Sequence, residues 1–98
     1  MVVCQDGPEA PRLREELMGA HLAYIESVLP SVVLAGPCLG NAEGDPTQAS
    51  LLIYEAPDAA QAEAMFKGDP YFQAGVWESW NIMPFLPVAG QLVGGKTW

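Results

Sequence analysis

The chain opens on an apolar run, Met1-Val2-Val3-Cys4, that stops at Asp6-Gly7-Pro8, which predicts a short strand over residues 1–5 and then a turn. The period then changes. Leu13, Leu17, Ala20, His21, Tyr24 and Val28 recur at spacings of three and four, so they share one face of a helix over residues 11–28, with Glu15, Glu16 and Glu26 mostly off that face. Gly19 lies inside this stretch, and glycine costs about 1 kcal/mol relative to alanine in a helix interior. A single helix and a pair of helices broken near Gly19 are therefore both open; Pro30 ends the segment.

Residues 31–39 are β-branched at their start and interrupted at Gly36-Pro37, which predicts a second strand with an irregular far end. Residues 40–49, rich in Gly, Asn, Asp and Pro, read as a loop. Residues 50–56 predict a third strand in which Leu51 and Ile53 point one way and Leu52 and Tyr54 the other. Both faces of that strand are apolar, so both sides of the sheet need cover. Asp58 then reads as a helix N-cap with Gln61 completing a capping box, Ala62, Met65 and Phe66 as the buried stripe, and Gly68 as the glycine past the helix end. Asp69-Pro70 restarts a short helical turn through Tyr71, Phe72 and Gly75. A fourth strand is predicted over residues 80–85, and the Pro- and Gly-punctuated residues 86–98 read as a tail.

The element order is β-α-β-β-α-β, an α+β, ferredoxin-like arrangement with an antiparallel sheet. Both helices then lie on one sheet face. The two-sided third strand and the aromatic residues Trp77, Trp80 and Phe85 assign the other face to a second subunit: a homodimer, built as a dimeric α+β barrel. One domain over residues 1–88 and a tail over 89–98 account for the length, since 98 residues make a single core.

Composition narrows the partners. Half of the residues are hydrophobic and 16% charged, too apolar for disorder. The net charge is −8, and the four cations, Arg12, Arg14, Lys67 and Lys96, form no cluster, which argues against nucleic acid and against an anionic membrane surface. A small-molecule ligand remains, and an anionic one would need Arg12, Arg14 or a helix N-terminus. No apolar run approaches the roughly 20 residues of a membrane helix. No secretory leader is visible and there are two cysteines, so a cytoplasmic protein with free thiols is expected. One His and two Cys make no structural zinc tetrad, and neither a metal nor a cofactor is expected.

His21 is the one imidazole in the chain, the side-chain type that titrates nearest neutral pH. It lies on the apolar helix face, where a packed core histidine and a general base are both open readings. Asp69 before Pro70 is an N-cap by its position, and a carboxylate that caps with one oxygen can hold an imidazole N–H with the other. Asp6 and Asp45 are rival partners. Cys38 as a nucleophile with His21 has no local signature, and Tyr24, one turn after His21, offers a hydroxyl.

His21-Leu22, Ala35-Gly36-Pro37, Ser50 at a strand start, Asp69-Pro70-Tyr71, Ala74-Gly75-Val76 and Pro84-Phe85 together resemble the YCII family of small bacterial proteins, over about residues 2–88. The resemblance implies a ferredoxin-like dimer and a site built on a histidine and an aspartate, here His21 and Asp69. It also implies a lyase- or dehalogenase-like reaction on a hydroxylated ring, with Tyr24, Ser50 and Tyr71 as candidate substrate contacts. The chain departs from the family pattern at Met18, where an Arg is frequent, at Ala49, where a Gly often precedes the serine, and in a shortened loop around Asp45. The expected function is therefore acid/base chemistry of lyase or isomerase type by a His-Asp pair on a small, hydroxylated cyclic substrate. The alternative is a non-catalytic ligand-binding or protein-interaction module of the same dimeric fold.

Overall fold

The computed structural model describes residues 1–98. Its elements are β1 (Val2–Asp6), α1 (Ala10–Ser27), β2 (Val32–Cys38), β3 (Ala49–Tyr54), α2 (Ala59–Lys67), α3 (Pro70–Ala74) and β4 (Trp77–Ile82). The four strands form one sheet in the order β2-β3-β1-β4, with every neighbouring pair antiparallel. This is the α+β, ferredoxin-like fold that the element order predicts, with α3 as a one-turn addition to the second helix.

Alternation along the strands decides what is buried. Val2 and Cys4 on β1, and Leu52 and Tyr54 on β3, face the helices and join Ala10, Phe66, Tyr71, Val76 and Trp77 in one core. Val3, Leu51 and Ile53 point to the other side and are half-buried, while Leu34 beside Ile53 is exposed. The helices cover one face alone, so the apolar side chains of β3 on the other face are left without helix cover.

One open reading is decided and three local expectations change. α1 is continuous through Gly19: the glycine is exposed, a Cβ at that position would meet nothing within 4 Å, and the apolar stripe on either side of it is packed on the core. His21 therefore sits in mid-helix and not in a first turn. β4 begins at Trp77, not at Trp80, because the ladder between β1 and β4 slips at Gln5/Asp6 and pairs Asp6 with Trp77. The slip also turns Trp77 and Trp80 to the same side. Trp77 is 3% exposed and packs on Phe66, and Trp80 meets Phe72 with ring centroids 4.9 Å apart. Both belong to the helix-side packing of their own chain rather than to an intersubunit face. Gly68 ends α2 in right-handed conformation, φ −77°, so left-handed backbone is not its purpose. A Cβ there would lie 2.5 Å from the Tyr24 hydroxyl, and glycine is required for that close approach.

Past β4 the tail is not featureless: β5 (Ala89–Gly90) and β6 (Gly95–Lys96) pair as a small hairpin around a turn of 3-10 helix. Its large apolar side chains, Leu92 and Trp98, are mostly exposed, as is Leu86 before it.

The two helix glycines make opposite predictions. Gly68→Ala forces a methyl against the Tyr24 ring and is expected to destabilise the fold by about 1–3 kcal/mol. Gly19→Ala adds a methyl in open space in a helix interior and is expected to stabilise by up to about 1 kcal/mol. Urea unfolding of the two variants beside the parent measures both signs.

Candidate active site

Helical spacing brings Arg14 and His21, seven residues apart, onto the stripe of α1 that also carries Leu17 and Ile25. The partner of His21 is supplied by a cap. Asp69 is the N-cap of α3: its Oδ1 accepts the Tyr71 backbone N–H at 2.9 Å, and Pro70 takes the first helical position, where no N–H is needed. The cap fixes the carboxylate and leaves it 0% exposed. The same Oδ1 accepts the His21 Nδ1–H at 2.7 Å. One oxygen thus performs both tasks, in place of the one-oxygen-each division expected from the cap alone. Oδ2 is buried without a protein partner, as is the Tyr54 hydroxyl.

A carboxylate only accepts, so it draws the imidazole proton to Nδ1 and leaves Nε2 bare in the neutral ring. Tyr71 completes the mounting. Its ring stacks parallel on His21 with centroids 3.9 Å apart and an interplanar angle of 3°, and its hydroxyl donates to the Arg14 carbonyl at 3.0 Å. Burial raises the pKa of that hydroxyl, an effect opposed by the Arg14 charge, so Tyr71 remains a neutral donor. Tyr71 supports the imidazole from behind. The Tyr24 hydroxyl donates to the Met65 carbonyl at 2.7 Å, and burial, followed by the Asp69 charge, raises its pKa as well. Tyr24 ties α1 to α2 and does not line the cavity described next.

A cavity of about 180 Å³ opens against His21, between α1 and the helix-side surface of β2 and β3. Leu22, Ile25, Ala35, Pro37 and Leu52 make its apolar wall; Arg14, Ser50 and Trp77 also line it. A cavity of about 150 Å³ holds a benzene ring, so this one accepts a single substituted ring. A larger groove, about 390 Å³, lies elsewhere, bordered by Met1, Ile53, Ala59, Met83 and Phe85. It has no imidazole, and its Asp58 is spent capping α2 through the Gln61 N–H. The imidazole borders the smaller one.

The rival acids are engaged elsewhere. Asp6 receives a bidentate pair from Arg14, at 2.9 and 2.8 Å, and Asp45 accepts the Ala42 backbone N–H in the exposed loop. Cys38 pairs with Ala49 on the strand positions that also carry Gln5, facing away from the helices, and is not among the residues lining the His21 cavity. Cys4 is sealed, and burial pushes its thiol up to about 12. Neither thiol is placed as a nucleophile for His21. No group of three or more His, Cys, Asp or Glu side chains comes together as a metal site, and no helix is long and apolar enough to cross a membrane.

The family model of the YCII-related domain matches residues 1–86. The chain belongs to that family. Among solved structures it is similar to the 5-chloro-2-hydroxyhydroquinone dehydrochlorinase (TftG) of Burkholderia phenoliruptrix AC1100, determined in complex with 2,5-dihydroxybenzoquinone. The two superpose with a TM-score of 0.77 at 26% identity, covering 92% of this chain and 93% of that one. No curated protein sequence matches the chain.

Of the residues singled out from the sequence of this YCII-related domain, His21 and Asp69 meet directly, Ser50 reaches the cavity, and Tyr71 stands behind the imidazole. Trp77, assigned by its sequence to a subunit face, lines the cavity, and so does Arg14, singled out with Arg12 only as a charge that an anionic ligand would need. Arg14 had one legible signal, a charge on the apolar helix stripe two turns before His21.

Thiol reactivity gives a direct check on the burial of Cys4. A chromogenic disulfide reagent at pH 8 is expected to leave Cys4 unreacted in the native protein and to titrate it only after denaturation. Two fast thiols in the native state would contradict the sealed position of Cys4.

Proposed function

We propose that this YCII-related protein is a small acid/base enzyme of lyase or isomerase type, acting on a hydroxylated six-membered ring. His21 Nε2 takes a proton from the ring substrate. The electron pair released moves through the ring and either expels a leaving group, which departs with its electrons, or accepts the proton back at another atom. The imidazolium formed is held by the Asp69 carboxylate through Nδ1–H and returns its proton to the product or the leaving group. The reaction requires no redox partner, because every electron pair stays within substrate and leaving group.

One observation carries this reading: an imidazole fixed by a buried carboxylate on one nitrogen, with a cavity of single-ring size against it. A packed imidazole with no adjoining space would favour a non-catalytic binding module. The dehydrochlorinase likeness supports the ring class, since the solved neighbour holds 2,5-dihydroxybenzoquinone. A bound ring displaces water from the apolar cavity and so strengthens the electrostatic hold of Asp69 on a charged imidazole.

The second part of the reading is a homodimer through the sheet face that the helices leave open. Val3, Leu51 and Ile53 with exposed Leu34 form a continuous apolar patch across three neighbouring strands, and a second copy of the same face covers it.

His21→Ala is expected to lower turnover of a chlorinated or hydroxylated hydroquinone by about 10²-fold or more. Asp69→Asn keeps a side-chain oxygen for the cap and is expected to reduce turnover by a similar order while the protein stays folded; Asp69→Ala additionally removes the cap, at about 1 kcal/mol. Unchanged turnover in His21→Ala contradicts the proposal. For the dimer, sedimentation at micromolar concentration is expected to give twice the 10.5 kDa chain mass; a single 10.5 kDa species overturns it.

A further inference from the structure

Arg14 is clamped along one edge. Its Nε–H donates to Asp6 Oδ2 at 2.9 Å, and its Nη2 donates to Asp6 Oδ1 at 2.8 Å and to Ser50 Oγ at 2.9 Å. A guanidinium has five N–H donors; these three bonds use the Nε–H and both hydrogens of Nη2. The two hydrogens of Nη1 have no protein partner. The sealed polar side-chain atoms that lack partners are Tyr54 Oη, Asp69 Oδ2 and Trp77 Nε1, so Nη1 is reachable from solvent although the Arg14 side chain is only 14% exposed. Arg14 lines the His21 cavity together with Ser50 and Trp77.

The clamp and the base share one support. The guanidinium carbon lies 5.4 Å from the centroid of the Tyr71 ring, and the imidazole stacks 3.9 Å from the same centroid. Arg14 and His21 thus belong to one assembly around the Tyr71 ring, each with a polar end that has no protein partner, and both line the same single-ring cavity.

We infer that Arg14, held by Asp6 and Ser50, is the oxyanion subsite of this cavity: it binds a ring oxygen that is negative in the ligand or becomes negative when His21 removes the proton. The inference rests on reading the His21 cavity as the substrate site, and it narrows the ligand to a small ring bearing an enolate- or phenolate-type oxygen. The charge arithmetic agrees. Arg14 is matched by Asp6, and Asp69 pairs with the imidazole, which acts as a base in its neutral form. Proton transfer makes imidazolium beside Asp69 and leaves the new negative oxygen at Nη1, so charge appears where a fixed donor already points. Asp6 and Ser50 are positioning residues that orient the guanidinium plane; Asp6 does so from outside the cavity lining, whereas Ser50 also borders the cavity.

Binding tests this apart from turnover. The probes are 2,5-dihydroxybenzoquinone, an acid that is anionic at neutral pH, and uncharged hydroquinone, titrated against the intact protein by calorimetry. The parent is expected to prefer the anion. Removing Arg14 alone strands a buried Asp6 carboxylate, so the variant is the double substitution Asp6→Asn with Arg14→Gln, which keeps neutral hydrogen bonding at the clamp; circular dichroism reports its fold. It is expected to weaken the anion roughly ten- to hundredfold while hydroquinone changes less than about twofold. Arg14→Lys, which keeps the charge without the planar fork, is expected to recover part of the loss. Equal weakening of both probes, unchanged anion affinity in the double variant, an unfolded double variant with full affinity retained in Arg14→Lys, or a parent that binds neither probe overturns the inference. A protein that binds the anion through Arg14 but turns nothing over keeps this inference and refutes the enzyme reading. Turnover that needs His21 with anion affinity indifferent to Arg14 does the reverse.

Discussion

The site depends on one buried carboxylate. Asp69 is fully enclosed, and its charge is tolerated because Oδ1 receives two donors: a backbone N–H at the head of α3 and the imidazole of α1. An unpaired carboxylate in that position would be costly, so the two bonds hold α1 and α3 in a single arrangement. The Tyr71 ring and hydroxyl repeat the constraint, one stacking on His21 and the other reaching the Arg14 carbonyl. Capping a five-residue helix and orienting a base are thus one structural event.

The sheet supplies the opposite wall. The strand alternation that buries Leu52 and Tyr54 also directs Ser50 toward the helix side, and the pairing of Ser50 with Pro37 and of Leu52 with Ala35 carries that surface out to the edge strand. Because no helix covers β2, space remains between it and α1, and that space is the cavity. A fold with two helices on four strands leaves such a gap wherever the first helix lies over the central strands. The apolar wall and the two fixed polar ends then select a flat, small, oxygen-bearing ligand.

Much of the architecture was legible because its signals are local. The cap at Asp58, the Asp69-Pro70 helix start and the three-and-four spacing of α1 each act within a turn or two, and each appears where the sequence puts it. The frame of β4 was not legible. Its start at Trp77 follows from a slip in the ladder at Gln5/Asp6, a pairing between residues some seventy positions apart, and nothing in the spacing of Trp77 and Trp80 places both on the helix side until that slip is known. Gly68 has the same lesson in reverse: its position after a helix suggests left-handed backbone, while the Tyr24 hydroxyl on another helix is what excludes a side chain there.

By itself the sequence determined the order of elements, the family, the single imidazole and the identity of the capping aspartate, since periodicity, caps and motifs are properties of neighbouring residues. Tertiary structure decided the rest: that Asp69, rather than Asp6 or Asp45, meets His21, that one carboxylate oxygen serves two donors, that Cys38 faces away, and that Arg14, clamped by Asp6 and Ser50, lines the same cavity as His21. Those outcomes are set by helix packing and strand register. A partner forty-eight residues distant is chosen by how surfaces fit, and spacing along the chain holds no record of that choice.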